Sequence, residues 1–218
     1  MRIVRLADIP WEDRVNTDGW PCRAGTYYDD PASGLCLRLI DYPKGSVEPR
    51  HVHPGMHATT VLKNRAIVDG LTLGPLDVVL GPSNEPHGPL DYADGCFLLS
   101  AFIGSYFHSE VATLSAEKQY RLIRHADIPW SPHPDGGDGK VLVDRGVGPL
   151  LVEAIRLPAG TSHTPGFLAG LVVAGELSFG EAPLGLWDMA VADDGAARAA
   201  VTTRTGATLL TFTLRTAA

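Results

Sequence analysis

Histidines with the spacing of metal ligands cluster in residues 45–87. Four of the eight histidines in the chain fall in this stretch: His51, His53, His57 and His87. Successive side chains of a strand point to opposite faces, so the first three share one face if the backbone stays extended, although a bulge at Pro54-Gly55 would re-aim His57. Neutral imidazole nitrogens suit zinc, copper, iron or nickel. The spacing therefore predicts a site for one divalent transition metal.

The composition is that of an ordinary globular protein and narrows the classes of partner. The chain has 218 residues, of which 44% are hydrophobic and 20% charged, with a formal net charge of −7 at pH 7. Without a cluster of lysine and arginine, neither nucleic acid nor an anionic membrane is an expected partner. The sequence shows no apolar run of transmembrane length, and residues 1–11 lack the apolar core of a signal peptide. Three widely spaced cysteines fit reduced thiols better than a disulfide framework, so we expect a cytoplasmic location.

The chain contains an internal repeat. Residues 5–11 read RLADIPW and residues 124–130 read RHADIPW, and LGPLDVVL in the first half matches LGLWDMAV in the second. Such self-similarity indicates two copies of one structural unit. We place the copies at residues 1–118 and 119–218. Residues 108–121 connect them, and the SAEKQY stretch of this connection is a candidate helix.

Within each copy the local pattern is that of β-structure. Short runs rich in apolar and β-branched residues, among them LCLRLIDY, TTVLK, LTL and CFLLSAF, alternate with turn signals such as Asp69-Gly70, a typical two-residue hairpin turn. No stretch keeps a helical period over three turns. Many short strands with closely spaced turns predict an all-β sandwich or barrel.

The residues around the first three histidines resemble the first motif of the cupin family, G-x5-H-x-H-x3or4-E-x6-G. The matching positions here are Gly45, His51, His53, His57 and Asn64. His57 stands where the family has a glutamate, so the resemblance implies a four-histidine site instead of three histidines and a carboxylate. Asn64 stands where the family has a turn glycine, and asparagine is the residue next best suited to a positive φ.

The second cupin motif, G-x5-P-x-G-x2-H-x3-N, lies on Leu76, Pro82, Asn84, His87 and Asp91. Pro82 and His87 match it, Asn84 again replaces a glycine, and the two end positions depart from it, so this match is the weaker one. The resemblance covers both halves of the chain. It implies an all-β fold of two tandem cupin barrels (double-stranded β-helix or jelly-roll barrels) packed as a bicupin.

The second copy lacks the candidate metal ligands. Aligned on the repeat, the four ligand positions are occupied by Ser162, Thr164, Leu168 and Arg198. His163 is one residue out of step and would point to the other face. We therefore predict a cupin with a metal site in residues 1–118 and a degenerate cupin without metal ligands in residues 119–218.

The sequence leaves the roles of four residues near the metal site open. His57 is either a fourth ligand or a pocket histidine that does not touch the metal. Arg38 either points inward, where its guanidinium would anchor a substrate anion, or outward into solvent. Glu85 either orients the imidazole of His87 or is a solvated loop charge, and Tyr27 is a candidate for the mouth of the pocket.

The resemblance implies chemistry on a substrate chelated to the metal. Cupins with this type of centre include dioxygenases that cleave diketones and flavonols. No glutamate base stands among the candidate ligands, which favours a reaction carried out by the metal and O2. We therefore expect a mononuclear Fe(II) dioxygenase with one metal per chain and a small enolisable or catecholic substrate. The alternatives are an isomerase or cyclase that uses zinc, nickel or manganese, and a non-catalytic metal- or ligand-binding cupin. Monomer and homodimer are both open.

Overall fold

The computed structural model of the chain describes residues 2–15, 19–107, 120–134, 136–144, 148–164, 166–192 and 200–215. These residues form an all-β structure with two 3-10 helices of one turn each, so the predicted fold class is confirmed. In this described part, no helix is long and apolar enough to cross a membrane. The connection between the repeats, apart from its last two residues, lies outside the described residues, and so does most of the candidate helix at SAEKQY.

Twelve strands precede residue 124. They are β1 (Arg2–Val4), β2 (Glu12–Val15), β3 (Pro21–Asp30), β4 (Leu35–Tyr42), β5 (Ser46–Glu48), β6 (Met56–Asn64), β7 (Ala66–Val68), β8 (Leu71–Leu73), β9 (Val78–Gly81), β10 (Leu90–Tyr92), β11 (Cys96–Ile103) and β12 (Arg121–Ile123). The first 3-10 helix, Leu6–Asp8, follows β1.

Ten strands make up the rest of the described chain. They are β13 (Ser131–Pro132), β14 (Asp138–Val143), β15 (Leu150–Leu157), β16 (Ser162–His163), β17 (Ala169–Gly175), β18 (Leu177–Phe179), β19 (Ala182–Leu184), β20 (Met189–Val191), β21 (Val201–Thr202) and β22 (Ala207–Leu214). The second 3-10 helix, His125–Asp127, precedes them and occupies the same place in the repeated motif as the first.

The chain divides into two compact units. The contiguous unit is Pro10–Ala126, and the composite unit is Met1–Ile9 together with Asp127–Ala218. The contiguous unit has sheets of order β12-β9-β6-β11-β4-β3-β2 and β5-β10-β7-β8. The composite unit has sheets of order β1-β20-β17-β22-β15-β14-β13 and β16-β21-β18-β19. Corresponding strands occupy corresponding places, so the repeat seen in the sequence is also a repeat of sheet topology.

The strand that opens each repeat pairs within the sheet of the other repeat. β1 is antiparallel to β20, with Ile3 opposite Ala190, and β12 is antiparallel to β9, with Leu122 opposite Val79. The sequence boundaries at 1–118 and 119–218 stay a prediction about the repeats. The two compact units begin and end a few residues away from those boundaries, at Pro10 and Ala126.

Several turn residues adopt the backbone φ angles that the sequence predicts. Asp69 and Gly70 join β7 to β8 with φ angles of 51° and 76°, which confirms the two-residue hairpin. Asn64 and Asn84 adopt φ angles of 63° and 60°, as expected for residues standing where the cupin motifs have glycine. Leu76 also takes a positive φ, 71°, although a branched side chain disfavours that conformation.

Each unit has its own apolar core, contributed by both of its sheets. In the contiguous unit the core includes Val61 and Leu98 of the larger sheet, with Val68 and Tyr92 of the smaller sheet. The ring of Tyr92 stacks on that of Tyr42, with centroids 4.4 Å apart. Two sheets packed through one apolar layer are the arrangement of a jelly-roll barrel, and residues that face inward beyond this layer are free to build a site.

A buried aspartate fixes the repeated RxADIPW motif in each unit. In the contiguous unit the carboxylate of Asp77 accepts hydrogen bonds from the backbone N–H of His125 at 2.8 Å and of Gly74 at 2.8 Å. In the composite unit the carboxylate of Asp188 accepts the corresponding bonds from Leu6 and Gly185, each at 3.0 Å. The aspartates therefore satisfy backbone donors that no strand pairing reaches.

Replacing Asp77 with alanine is expected to destabilise the contiguous unit by about 2 to 3 kcal/mol, because two partly buried backbone N–H groups lose a charged acceptor. The measurement is the midpoint of its urea unfolding transition. The control is Asp91→Ala, which removes an exposed carboxylate from β10. Equal midpoints for the two variants would show that Asp77 does not hold the motif in place.

Candidate metal centre

The four clustered histidines reach one inner surface from neighbouring backbone segments. His51 and His87 face each other in an isolated antiparallel bridge, in which each backbone N–H donates to the other's carbonyl at 3.0 Å. His53 follows two residues later, and His57 is the second residue of β6. All four side chains line the same cavity, although bends at Pro54 and Gly55 interrupt the extended backbone between His53 and His57.

Gly55 permits the close approach that this break requires. A Cβ atom added at Gly55 would lie 2.5 Å from the carbonyl oxygen of Ile103, which is closer than real side chains approach backbone. Its N–H donates to the carbonyl of Ser105 at 3.0 Å. The glycine thus ties the start of β6 to the chain that follows β11.

The imidazole rings are buried and mutually in contact. None of the four is more than 5% exposed. The centroid of the His87 ring lies 4.2 Å from that of His51 and 4.3 Å from that of His57, and the centroid of His53 lies 4.8 Å from that of His51. Four imidazoles packed this tightly require either a shared cation or strictly neutral rings.

Three of the rings can present a nitrogen to one ion. Ligand atoms of His51, His53 and His87 all lie within 4.8 Å of one another, and they form the one such group in the part of the chain that the structure describes. The Nε2 atoms of His51 and His53 are 3.1 Å apart. Two ligands at right angles on a metal with bonds of about 2.1 Å would be roughly 3.0 Å apart, so the observed spacing suits a metal ion.

The opposite nitrogen of each of these rings is held by a backbone carbonyl. The Nδ1 atom of His51 lies 2.8 Å from the oxygen of Pro49, that of His53 lies 3.1 Å from the oxygen of Tyr106, and that of His87 lies 3.3 Å from the oxygen of Glu85. A carbonyl only accepts, so each Nδ1 carries the proton and each Nε2 keeps its lone pair. This is the arrangement by which proteins orient metal-binding histidines.

His57 is arranged differently from the other three. Its Nδ1 lies 3.3 Å from the hydroxyl of Thr59, which in turn is 2.9 Å from the hydroxyl of Ser100. Its Nε2 faces Gly81 on the adjacent strand β9, where an added Cβ would lie 2.2 Å away. His57 lines the cavity but does not belong to the three-nitrogen group, so its role as a ligand stays a prediction.

Replacing Gly81 with alanine is expected to displace the His57 ring and to lower the free energy of unfolding by about 1 to 3 kcal/mol, since the new methyl group cannot coexist with Nε2. Chemical denaturation measures the loss. Gly74→Ala is the matched control, because a Cβ there meets nothing within 4 Å. If both variants are equally stable, the ring does not occupy the position against β9.

The environment keeps His87 uncharged. Burial lowers the pKa of His87, and the neighbouring imidazoles of His57, His51 and His53 lower it further. A neutral imidazole is the form that binds metal, because a protonated ring has no free lone pair. The three-histidine group therefore fits a divalent ion without prior loss of a proton from this residue.

The cavity next to the histidines has a volume of about 260 Å³. Apolar side chains from both sheets form much of its wall, among them Val79, Leu90, Leu98 and Phe102. Polar and charged side chains besides the histidines, among them Arg38 and Glu48, also line it, so the cavity offers both apolar contact and hydrogen-bonding groups. The cavity is therefore of a size and character to hold a small organic ligand beside a metal ion.

Glu48 is a carboxylate of this cavity that the sequence analysis missed. It is 7% exposed, and its Oε1 atom lies 3.9 Å from Nε2 of His51. The hydroxyl of Tyr92 donates to its Oε2 atom at 2.9 Å. Burial, and then the negative charge of Glu48, raise the pKa of both Tyr92 and Tyr42. A glutamate thus stands at the site, although not at the position where the cupin motif has one.

The three predicted pocket residues occupy different places. Arg38 points inward and lines the cavity. Tyr27 is buried at the irregularity in the pairing of β3 with β4, and it is not among the described residues that line the cavity. Glu85 does not line it either, and it meets His87 through its backbone carbonyl instead of its carboxylate.

The three described residues at the corresponding positions of the composite unit are less buried than the histidines. Ser162 and Thr164 are exposed, and Leu168 is half-buried. His163 is buried, whereas its neighbour Ser162 in β16 is exposed, so the two point to opposite faces as the sequence predicts. Arg198, the fourth position, lies outside the described residues.

Comparison with protein-family models gives no match to this sequence, and comparison with curated proteins gives none either. Solved structures do resemble it. A candidate dioxygenase from Nostoc punctiforme superimposes with a TM-score of 0.78 at 12% identity, covering 100% of this chain and 87% of that one. A mutant oxalate decarboxylase from Bacillus subtilis gives a TM-score of 0.66 at 13% identity, covering 100% of this chain and 78% of that one.

A third similar structure is the salicylate 1,2-dioxygenase of Pseudaminobacter salicylatoxidans, with a TM-score of 0.58 at 14% identity, covering 83% of this chain and 70% of that one. At such low identities the likeness speaks for the fold alone. The sheet order of each unit and these three structures agree on the fold. The chain has the cupin fold that is common to these dioxygenases and decarboxylases.

Proposed function

We propose that the chain is a bicupin with a single metal site, and that it is a mononuclear Fe(II) dioxygenase acting on a small enolisable or catecholic substrate. The observation that carries this proposal is the group of three ring nitrogens, one each from His51, His53 and His87, at the wall of a cavity of about 260 Å³. Two of the similar structures are named as dioxygenases, one of them a candidate. The composite unit is a degenerate cupin in this proposal.

The residues of the chain prepare the site for a chelating substrate. Backbone carbonyls hold the three imidazoles in the tautomer that binds metal. When bound, iron supplies Lewis acidity toward substrate oxygens and the capacity to react with O2. Val79, Leu98 and Phe102 exclude water from the cavity wall, which strengthens every electrostatic interaction between the site and its substrate.

Metal analysis and O2 consumption test this proposal together. The protein is purified without chelators and without a histidine tag, its metal content is measured, and O2 uptake is recorded with a panel of β-diketones and catechols. About one iron per chain, with O2 uptake on at least one class of substrate, is the expected result. Zinc, nickel or manganese without O2 uptake would contradict the dioxygenase assignment.

Glu48 supports a second candidate function, an isomerase or cyclase that uses zinc, nickel or manganese. The absence of a base among the histidines favoured O2 chemistry at the level of sequence, but the structure places a buried carboxylate 3.9 Å from His51. A carboxylate beside the candidate metal ligands would serve such a reaction as the group that transfers the proton, and the metal would supply Lewis acidity when bound. Proton exchange at the α-carbon of a ketone, followed by NMR in deuterated water without O2, would favour this second function.

The cellular location, the partners and the oligomeric state are also part of the proposal. Cys36 and Cys96 are free and buried, which supports a reducing, cytoplasmic location. The partners are a small molecule and O2, without nucleic acid or membrane, as the net charge of −7 indicates. A monomer and a homodimer both accommodate a site built within one unit, and analytical ultracentrifugation would decide between them.

A further inference from the structure

Arg38 is a buried cation at the wall of the cavity. It lies in β4 between Ser100 of β11 and Thr26 of β3, and only 5% of it is exposed. Its guanidinium carbon stands 4.3 Å from the centre of the Tyr106 ring. The carbonyl of Tyr106 holds Nδ1 of His53, so the segment that orients a candidate metal ligand also supports the guanidinium.

The protein neutralises this charge only weakly. Among the described residues, the one carboxylate within 4.0 Å of Arg38 is that of Glu12, at 3.9 Å. Glu12 already accepts two hydrogen bonds from Arg14, at 2.6 Å and 3.2 Å, and its side chain is 60% exposed. Arg14 lines the cavity as well, so two guanidinium groups share one solvent-exposed carboxylate. A buried cation with so little compensation favours binding of an anion.

The remaining walls of the cavity restrict where an anion can lie. Glu48 belongs to the smaller sheet and Arg38 to the larger one, so the two charges reach the cavity from different sheets. The carboxylate of Glu48 repels an anion, whereas its oxygens accept hydrogen bonds from a hydroxyl group. A planar carboxylate matches the paired donors of a guanidinium, and the apolar side chains of Val79 and Leu90 on the cavity wall suit an apolar ligand body.

We propose that the substrate carries a carboxylate that binds Arg38, and that its class is a small hydroxy- or enol-carboxylic acid with an apolar body. The hydroxyl or enol oxygen then lies toward the histidines and Glu48. This inference rests on the proposed function only for the end of the molecule that faces the metal. The binding of the carboxylate by Arg38 does not depend on the metal.

Paired probes that differ only in charge test the inference. Mandelate and its neutral amide, mandelamide, are titrated by calorimetry into the metal-free protein and into the metal-loaded protein. Wild type is expected to bind mandelate at least about tenfold more tightly than mandelamide in both forms, since a charge-assisted bidentate contact is worth a factor of this order. Arg38→Met should abolish the preference and leave mandelamide binding unchanged.

Two further variants keep the test independent of folding. Arg65→Met is the matched control, since Arg65 is an exposed arginine paired with Asp94, and it should retain the preference. Glu12→Gln should raise the affinity for mandelate about two- to fivefold, because the competing surface carboxylate is removed.

The outcomes separate this inference from the proposed function. Equal affinities for mandelate and mandelamide in wild type, or a preference that survives Arg38→Met, would overturn the role of Arg38. A mandelate preference that depends on Arg38, in a protein that takes up no metal, would support the anion site and contradict the metal-dependent enzyme. Loss of both ligands in Arg38→Met, with a normal unfolding temperature, would show that the arginine shapes the cavity instead of binding the carboxylate.

Discussion

Replacing His53 with alanine is expected to reduce metal content from about one ion per chain to none that survives gel filtration. The variant removes one of the three nitrogens of the site, whose rings are fixed by backbone carbonyls. The described residues hold no other group of three candidate metal ligands that could take over. Loss of one of three protein ligands from such a site lowers metal affinity by several orders of magnitude in general, and binding becomes too weak to withstand dilution. His87→Ala should behave in the same way.

The composite unit provides the control for this prediction. Ser162 and Thr164 occupy the repeat positions of His51 and His53 and are exposed. Ser162→Ala and Thr164→Ala should therefore keep the wild-type metal content, as measured by mass spectrometry of the eluted protein. Two metal ions per wild-type chain, or one ion retained by His53→Ala, would refute a single site built on these histidines.

Replacing Glu48 with glutamine is expected to weaken metal binding on the order of tenfold to a hundredfold without changing its stoichiometry. Two unit charges about 4 Å apart interact by roughly 4 kcal/mol at an effective dielectric constant of about 20. Losing half of that energy would already raise the dissociation constant of the metal by a factor of about thirty. The Oε1 atom of Glu48 lies 3.9 Å from Nε2 of His51. The charge of this residue thus favours a cation at the histidines.

The measurement for Glu48→Gln is a competition titration of metal against a chromophoric chelator. Glutamine keeps a hydrogen-bond acceptor for the hydroxyl of Tyr92, so the fold should be preserved and the effect should reflect charge. Glu85→Gln is the matched control, because Glu85 does not line the cavity and meets His87 only through its backbone. Equal metal affinities for the two variants would show that Glu48 does not act on the metal.

Much of the fold follows from local sequence. The run LCLRLIDY coincides with β4 and LTL coincides with β8, because short apolar runs between strong turn signals leave little choice of structure. The pairing of β1 with β20 could not be predicted in this way. A strand of three residues such as Arg2–Val4 carries no signal that selects its partner, and the choice depends on tertiary contacts such as the bond from Leu6 to Asp188.

The histidines of the site were recognisable because their residue type and spacing together indicate one chemistry. Arg38 was ambiguous, since Leu37 and Leu39 on either side of it are also fully buried and alternation could not assign an inner face. Glu48 was not recognised, because a charged residue is ordinarily exposed. The one available signal was that Glu48 lies two residues after Ser46 and so shares a face of β5 with it. Using this signal would have required knowing the register of a three-residue strand.

A metal site built on three histidines can be tested by the crystal structure of the protein loaded with Fe(II) under anaerobic conditions, with diffraction recorded on both sides of the iron absorption edge. We expect a single anomalous peak per chain, bonded to Nε2 of His51, His53 and His87. A peak at any other place, a second peak in the composite unit, or no peak at full iron loading would contradict it.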